Sequence, residues 1–255
     1  MRLAVTIALT LALSLAACDP PSGLASTTNS PGAYAAALAD PQRPAADRDR
    51  DAARFPAEIL AFANIDRGEK VGDYIMGGGY WTRLLSTAVG PEGRVYAFQP
   101  EEFIGFRPAY ATEQDAAVAG RANVVAVRGP VAAPPFPEKL DTIITVQNFH
   151  DLYLGAMPAG TAQRAIAALY AALKPGGTLL VVDHSAATGT GTTVANTLHR
   201  MDRQAAIDAL KAAGFVLDGQ SDIYTRPADP RTANVFDPAI RGQSDQFTLR
   251  FRKPG

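Results

Sequence analysis

A glycine turn between a predicted strand and a predicted helix constrains the fold more than any other feature of this sequence. The strand covers residues 70–75, the helix covers residues 80–89, and the run DYIMGGG joins them at residues 73–79. Glycines at such a turn let the backbone bend sharply and let a ligand approach without side chains in the way. The unit therefore favours a parallel sheet with a nucleotide bound at its carboxyl edge.

The rest of the chain continues to alternate strands with helices. Helices are predicted over residues 108–119, 162–173 and 202–213, and Pro175-Gly176-Gly177 is expected to end the second of them. Strands are predicted over residues 94–98, 123–127, 140–146, 178–182, 215–224 and 246–251. The sequence therefore predicts an α/β fold: a Rossmann-like, doubly wound, mostly parallel seven-stranded sheet with a C-terminal antiparallel hairpin.

Composition and charge exclude several classes of protein. The 255 residues contain 24 Lys and Arg against 25 Asp and Glu, a net charge of −1, which excludes a strongly basic nucleic-acid binder. Apolar residues make up 47% of the chain, enough for a buried core. The single cysteine, Cys18, rules out an intramolecular disulfide or a Cys-based metal cluster. We expect an α/β domain of enzyme size whose partner is a small molecule.

The first residues predict an export signal and no part of the fold. Arg2 precedes an apolar stretch over residues 3–15, which is too short for a transmembrane helix. Leu15-Ala16-Ala17-Cys18 resembles the bacterial lipobox, in which the cysteine is lipidated and becomes the first mature residue. The alternative is an ordinary secretory signal in which Cys18 has no role. The lipobox interpretation places the protein on a membrane of the periplasm or cell envelope, anchored through Cys18.

This interpretation divides the chain into three parts. Residues 1–17 are the predicted lipoprotein signal peptide, residues 18–46 the lipidated cysteine with a flexible tether, and residues 47–255 the folded domain. The charged run RDRDAAR, residues 48–54, is either a solvent-exposed helix or a lid over the site.

The pattern of glycines separates two kinds of nucleotide site. Dinucleotide binding requires Gly-x-Gly-x-x-Gly, but the sixth position counted from Gly77 is Thr82, so NAD and FAD are disfavoured. The turn instead resembles the first motif of the class I S-adenosylmethionine (SAM)-dependent methyltransferases, Asp/Glu-x-Gly-x-Gly-x-Gly. Asp73, Gly77 and Gly79 match this motif, and Ile75 stands at its first glycine position.

Later segments extend this resemblance over most of the chain. LKPGGTL at residues 173–179 is similar to the segment before the family's fifth strand, and AAGF at residues 212–215 to the segment before its sixth. Shorter segments look like an uncharacterised, often exported bacterial branch of the family; these are NFHD at 148–151, DH at 183–184, LHRMD at 198–202 and FRKP at 251–254.

The resemblance implies SAM as the cofactor and assigns residues to it. Asp73 is expected near the methionine end of the cofactor. The family usually places an acidic residue after its second strand to accept hydrogen bonds from the ribose, but here that position holds Gln99, with Glu101 as the alternative. The implied cofactor residues are Asp73, Gly77, Gly78, Gly79, Gln99, Glu101 and Asn148.

Three histidines, each with an aspartate nearby, are expected at the same edge of the sheet. His150 follows the fourth strand, His184 follows the fifth, and His199 lies in the next connection. One interpretation is catalytic, with His150 and Asp151 as the catalytic residues and His150 or His184 accepting a proton from the attacking group. The other is that these histidines hold the loops by hydrogen bonds. A third interpretation is a divalent metal ion bound by Asp and His, since some small-molecule O-methyltransferases use Asp-lined metal sites. The lack of a spaced ligand pair on one helix disfavours it, and no metal ligand is assigned.

Two hypotheses for function remain open. The first is a SAM-dependent methyltransferase that acts on an unidentified, small nucleophile. The second is a lipid-anchored, non-catalytic binding protein on a methyltransferase fold, since a fold alone does not determine function. Gln99 at the ribose position and the export signal favour the second hypothesis, whereas Asp73, Gly77, Gly79 and Asn148 favour the first.

Overall fold

The computed structural model describes residues 29–255. The predicted signal peptide, Cys18 and the first part of the predicted tether lie outside the described residues. No helix in residues 29–255 combines the length and apolar character needed to cross a membrane.

Within residues 29–255, seven strands form one mixed sheet in the order β3-β2-β1-β4-β5-β7-β6. The first five strands are parallel, and β7 runs antiparallel to both β5 and β6. The predicted doubly wound sheet with a C-terminal antiparallel hairpin is therefore confirmed. The strands are β1 Lys70–Tyr74, β2 Arg94–Pro100, β3 Val124–Gly129, β4 Leu140–Val146, β5 Leu173–His184, β6 Val216–Ser221 and β7 Gln246–Arg252.

Helices cover both faces of the sheet, because the central strands are apolar on both sides. Two clusters of buried apolar side chains, one on each face, form the core. The helices are α1 Ala35–Leu38, α2 Ala45–Arg48, α3 Asp51–Arg54, α4 Pro56–Ala63, α5 Tyr80–Val89, α6 Glu101–Phe106, α7 Ala109–Val118, α8 Thr161–Ala172, α9 Ala195–Leu198 and α10 Arg203–Ala212, with 3₁₀ helices at Pro31–Tyr34 and His150–Tyr153.

The fifth strand is longer than predicted. It begins at Leu173, so Pro175-Gly176-Gly177 lies within β5, at a register shift in its pairing with β4. The sequence predicts a helix stop there, and α8 does end at Ala172. Proline and glycine therefore mark the irregular start of a strand, a position that suits them because the ladder is interrupted there.

The folded part begins earlier than the predicted residue 47. The Asn29 side chain donates a hydrogen bond to the Ile65 carbonyl, and the buried Tyr34 hydroxyl donates to the same oxygen at 2.8 Å. Arg43 is almost fully buried and pairs with Asp51 at the start of α3. Residues 29–46, assigned to the tether by the sequence, thus pack against the domain.

The strand order determines where a ligand can bind. It reverses direction between β1 and β4, and the carboxyl ends of these two neighbours open a crevice there. The glycine turn follows β1, and the segment with Asn148, His150 and Asp151 follows β4. Two stretches that are far apart in sequence therefore meet at one edge of the sheet.

Candidate active site

A cavity of about 440 Å³ lies at the carboxyl ends of β1 and β4. Its volume is in the range of small-molecule sites. Of the predicted site residues, Asp73, Gly77, Gly78, Asn148, His150 and Asp151 line it. The cavity therefore joins most of the residues assigned to the cofactor with both residues assigned to catalysis.

The glycine turn leaves open space on the cavity side. Gly77 has φ +55° and a Cβ added there would meet no atom within 4 Å. Gly79 serves a different purpose, since its Cβ would lie 2.4 Å from the Ala117 Cβ, so its role is the close packing of α5 on α7. Gly79 does not line the cavity, and only Gly77 and Gly78 of the three predicted glycines do.

Asp73 is the residue before the last of β1, and its buried carboxylate faces the cavity. It accepts a hydrogen bond of 2.6 Å from the Thr82 hydroxyl on α5. Burial raises the pKa of Asp73 to about 6, although the hydrogen bonds from Thr82 oppose this rise. A carboxylate in this state gains from a cation nearby, which fits its predicted place beside an ammonium group.

Left-handed backbone at non-glycine residues is concentrated around the cavity. Ile75, at the first glycine position of the motif, has φ +61°, and the lining residues Gln147 and His199 have φ +65° and +53°. Such a conformation is unfavourable for a β-branched residue and is held by its surroundings. Asn148 supplies part of that support at Ile75, because its side-chain amide donates a 2.7 Å hydrogen bond to the Ile75 carbonyl.

The two residues predicted to bind the ribose do not line the cavity. Glu101 is the first residue of α6 and is exposed to solvent. Gln99 is fully buried near the end of β2, and neither polar atom of its side chain has a hydrogen-bond partner in the described part of the chain. Gln99 lies near the end of β2, as predicted, but its side chain is buried and does not reach the cavity surface.

His150 stands between two carboxylates. Its Nδ1 lies 2.8 Å from Oδ1 of the fully buried Asp183, and its Nε2 lies 3.2 Å from Oδ1 of Asp151. The Asp183 carboxylate also accepts the backbone N–H groups of His150 and His184, at 2.5 and 2.7 Å. Asp183 therefore fixes the position of the His150 ring, and Asp151 lies on its cavity side.

Burial and charge give the three histidines different protonation states. Burial alone would lower the pKa of His150, but the charges and hydrogen bonds of Asp183 and Asp151 outweigh it and raise this pKa to about 10. Burial lowers the pKa of His184 to about 4, and it also lowers that of His199. Both nitrogens of the His150 ring are therefore protonated at neutral pH. A ring in this state cannot accept a proton, which the predicted role of a base requires.

Two arginines of the charged run RDRDAAR reach the cavity, which the interpretation as a solvent-exposed helix missed. Arg50 and Arg54 both line it, and their guanidinium carbons lie 5.3 and 4.7 Å from the ring centre of Tyr80. Arg54 donates a 2.8 Å hydrogen bond to the Gln147 side chain. Within residues 29–255, neither arginine has a carboxylate at ion-pair distance. The four-residue spacing, which puts both on one face of a helix, was the available signal.

The mouth of the cavity is aromatic. Phe106 and Phe236, both 55% exposed, line it from α6 and from the loop between β6 and β7. Exposed phenylalanines on both sides of one opening favour a ligand with an apolar or aromatic part. The loop carrying Phe236 has no strand or helix pattern in the sequence, so its place at the site could not be predicted.

No family model matches the sequence. A demethylmenaquinone methyltransferase of Geobacillus stearothermophilus is 29% identical over 93 residues, which are 36% of this chain and 38% of that relative. The chain thus spans well under half the length of this curated relative.

Solved structures match over a larger part of the chain. A SAM-dependent methyltransferase from Aquifex aeolicus has a TM-score of 0.54 at 19% identity and covers 78% of this chain and 89% of its own. An arsenic(III) SAM methyltransferase from Chlamydomonas reinhardtii has a TM-score of 0.52 at 15% identity and covers 88% of this chain and 73% of its own. The chain therefore has the fold of the SAM-dependent methyltransferases, as its resemblance to the class I family predicts.

Proposed function

We propose that this protein is a SAM-dependent methyltransferase that acts on a small nucleophile. The observation that carries the proposal is the cavity itself, which joins the glycine turn after β1 to the pair His150 and Asp151 after β4. Methyl transfer requires a cofactor and a nucleophile side by side in one closed space, and the cavity offers a wall for each.

The residues around the glycine turn fit SAM. Open space lies beside Gly77, the buried carboxylate of Asp73 suits an ammonium group, and the guanidinium of Arg54 has no acidic partner among residues 29–255. The indole N–H of Trp81, which lines the cavity, is buried without a hydrogen-bond acceptor in the same range. These groups would hold the amino-acid and nucleoside parts of the cofactor. When bound, SAM supplies an electrophilic methyl group.

The residues after β4 would handle the acceptor's proton. The His150 imidazolium is fixed by Asp183, and it places the Asp151 carboxylate at the cavity wall. We assign to Asp151 the hydrogen bond from the acceptor's hydroxyl or amine, and to His150 the positioning of Asp151. Phe106 and Phe236 would exclude water and hold an apolar part of the acceptor.

The first test is calorimetric titration of the full chain with SAM and with S-adenosylhomocysteine. We expect binding of both at one site per chain. A folded sample that gives no heat with either compound would overturn the proposal.

The second test measures S-adenosylhomocysteine formation with a panel of phenols, hydroquinones and amines. Hydroquinones belong in it because the curated relative is a demethylmenaquinone methyltransferase. For an acceptor that reacts, Asp151→Asn should lower kcat by roughly 10²–10⁴-fold with the KM for SAM unchanged, because a base is lost and the cofactor site is kept. Unchanged kcat would remove Asp151 from the mechanism, and binding without turnover of any acceptor would favour the non-catalytic alternative.

We also propose that the protein is anchored to a membrane of the cell envelope through a lipid on Cys18. The lipobox-like Leu15-Ala16-Ala17-Cys18 supports this. The wild-type chain should sediment with membranes and a Cys18→Ser variant should not be processed. Mass spectrometry that finds an uncut chain with an unmodified Cys18 would contradict it.

A further inference from the structure

Three potential metal ligands converge on the acceptor side of the cavity. His150, Asp151 and His199 each offer one ligand atom, and these atoms lie within 4.8 Å of one another. The Asp151 Oδ1 is 3.2 Å from the His150 Nε2 and 4.0 Å from the His199 Nδ1. Ligands bound to one ion at about 2.1 Å lie roughly 3.0–3.5 Å apart, so a small rotation of His199 completes the set.

The His150 ring is oriented as a metal-binding histidine is. Its Nδ1 contacts the buried carboxylate of Asp183, and its Nε2 points to the cavity side beside Asp151. A ligating histidine usually gives its second ring nitrogen to a carboxylate, which fixes the ring and raises its basicity. Asp183 is in that position and is itself held by two backbone N–H groups, those of His150 and His184.

His199 is held toward the same point with its ring free to bind. Its backbone is left-handed, with φ +53°, and the Phe236 ring packs against the imidazole in a T-shaped arrangement at 4.9 Å. In the described part of the chain, no hydrogen bond uses either nitrogen of this ring. An imidazole without a hydrogen bond in residues 29–255, facing a cavity beside a carboxylate, is available as a ligand.

We propose that His150 Nε2, the Asp151 carboxylate and His199 Nδ1 bind a divalent transition-metal ion. Two imidazole nitrogens and one carboxylate oxygen form a set that suits Zn²⁺ and Fe²⁺, and three protein ligands leave positions open for a ligand. All three residues line the cavity, so the open positions face it.

The role of the ion rests on the proposed function, but its binding does not. With an ion here, Asp151 would be a metal ligand, and the ion instead of the Asp151 carboxylate would bind the acceptor's oxygen, lower the pKa of that hydroxyl and orient the oxygen toward the methyl group. This favours an oxygen nucleophile, such as a phenol or hydroquinone, over an amine. The apolar part of such an acceptor would lie between Phe106 and Phe236.

The test is a titration of the metal-free full chain with Zn²⁺ and, for its visible spectrum, with Co²⁺. We expect one ion per chain. Asp151→Asn and His199→Asn should each weaken Zn²⁺ binding by at least tenfold, and Asp183→Asn should weaken it by roughly 10–100-fold. Asparagine is chosen at position 199 because it tolerates the left-handed backbone.

The matched control is His184→Asn. This imidazole lines the same cavity, but its Nδ1 lies 2.8 Å from the Ser244 hydroxyl and it is not part of the cluster. The control should keep the wild-type affinity for Zn²⁺, and thermal unfolding should show that every variant is folded.

Two results would overturn the proposal: no binding of either ion to the folded wild-type chain, or equal Zn²⁺ affinity for the wild type and the Asp151→Asn and His199→Asn variants. SAM titrations of the same samples separate this proposal from the proposed function. Binding of SAM without Zn²⁺ would overturn the metal site alone, and binding of Zn²⁺ without SAM would overturn the methyltransferase assignment alone.

Discussion

At the amino edge of the sheet the basic residues of β1, β5 and β7 are paired with carboxylates, but at the carboxyl edge two arginines beside the cavity have no acidic partner among residues 29–255. At the amino edge the basic residues of β1, β5 and β7 form ion pairs: Lys70 with Glu138, Lys174 with Asp141, and both Arg250 and Arg252 with Asp218. At the carboxyl edge, Arg50 and Arg54 line the cavity without such a pair in residues 29–255. The same strands form both edges, so the difference in ion pairing reflects a difference in function between the edges.

This contrast indicates that the amino edge serves the stability of the fold and that the carboxyl edge is adapted to a ligand. Exposed ion pairs contribute little to stability, but they leave no charge unsatisfied. The carboxyl edge keeps unpaired charge and left-handed residues such as Ile75 and Gln147, each of which costs stability. Such costs are expected where a ligand supplies the missing partner.

The largest effect should come from a side chain at the glycine turn. Gly77 at the carboxyl edge and Gly176 at the amino edge both have positive φ, +55° and +79°, and open space beside the Cα. Valine at either position is strained and should cost similar stability. Only Gly77→Val should lower SAM affinity, by at least roughly 100-fold, because its side chain occupies the cavity.

The pair of variants is compared by calorimetry with SAM and by denaturant unfolding. Gly176→Val is the control for strain alone. Equal SAM affinity in the two variants would mean that the cofactor does not lie against the turn.

The next effect concerns the unpaired arginine. Arg54→Met should weaken binding of the carboxylate-bearing SAM by about 10–100-fold, since a charged hydrogen bond is worth about 1.5–3 kcal/mol. Burial, with the nearby Arg50, lowers the pKa of Arg54 to about 10, so the charge is costly in the free protein and its removal should not lower stability.

The matched change at the amino edge is Arg252→Met, which removes one exposed pair with Asp218. It should alter neither SAM affinity nor, beyond about 1 kcal/mol, the free energy of unfolding. If Arg54→Met bound SAM as the wild type does and also unfolded more easily, the arginine would belong to the fold, and the contrast between the edges would fail.

The fold could be predicted because its signals are local. The strand over residues 140–146 has the predicted bounds, and Asp202 caps α10 by accepting a hydrogen bond from the Gln204 backbone N–H, as its sequence position indicates. The start of β5 was misplaced because Pro175-Gly176-Gly177 ends helices and interrupts strands equally well.

The site could be predicted only in part, because its remaining residues depend on packing between distant segments. Asp73 lies near the end of β1 and His150 follows β4, so topology alone brings them to one edge. Topology also predicts His199 at this edge, but the approach of its ring to Asp151 depends on how the connection after β5 packs, which the sequence does not indicate. The absence of a spaced ligand pair on one helix disfavours a metal, but such spacing gives no information about ligands that come from separate segments.

A smaller effect, on the pH dependence of stability, is expected at Glu69. This carboxyl lies at the amino edge but forms no ion pair within residues 29–255. Burial raises the pKa of this carboxyl to about 8, above its usual value near 4.5, although a 3.1 Å hydrogen bond from Thr142 opposes the rise. The folded state therefore holds a proton that the unfolded state has lost between these values. The wild type should therefore lose stability as the pH rises from about 4.5 to about 8, by at most about 1.4 kcal/mol per pH unit.

Glu69→Gln should remove that loss, because the amide stays neutral. Urea unfolding of both proteins between about pH 5 and about pH 9 measures it. The variant should equal the wild type at the acid end and exceed it at the alkaline end. If the free energies of unfolding of the two proteins changed in parallel with pH, Glu69 would ionise in the folded state as it does in the unfolded state.

The smallest effect is expected at Gln99, and it decides whether the ligand-binding part of the carboxyl edge includes the end of β2. The Gln99 side chain is fully buried, and its amide oxygen and nitrogen are both without hydrogen-bond partners in residues 29–255. Replacing an unpaired buried amide by an apolar side chain of similar size removes a desolvation cost, so Gln99→Leu should raise the free energy of unfolding by about 1 kcal/mol. Because Gln99 does not line the cavity, SAM affinity should stay within about twofold of the wild type, a change of under about 0.5 kcal/mol. If the ribose displaces neighbouring side chains and reaches Gln99, the same variant should bind SAM at least tenfold more weakly, and the residue would then belong to the cofactor site as the family's pattern implies.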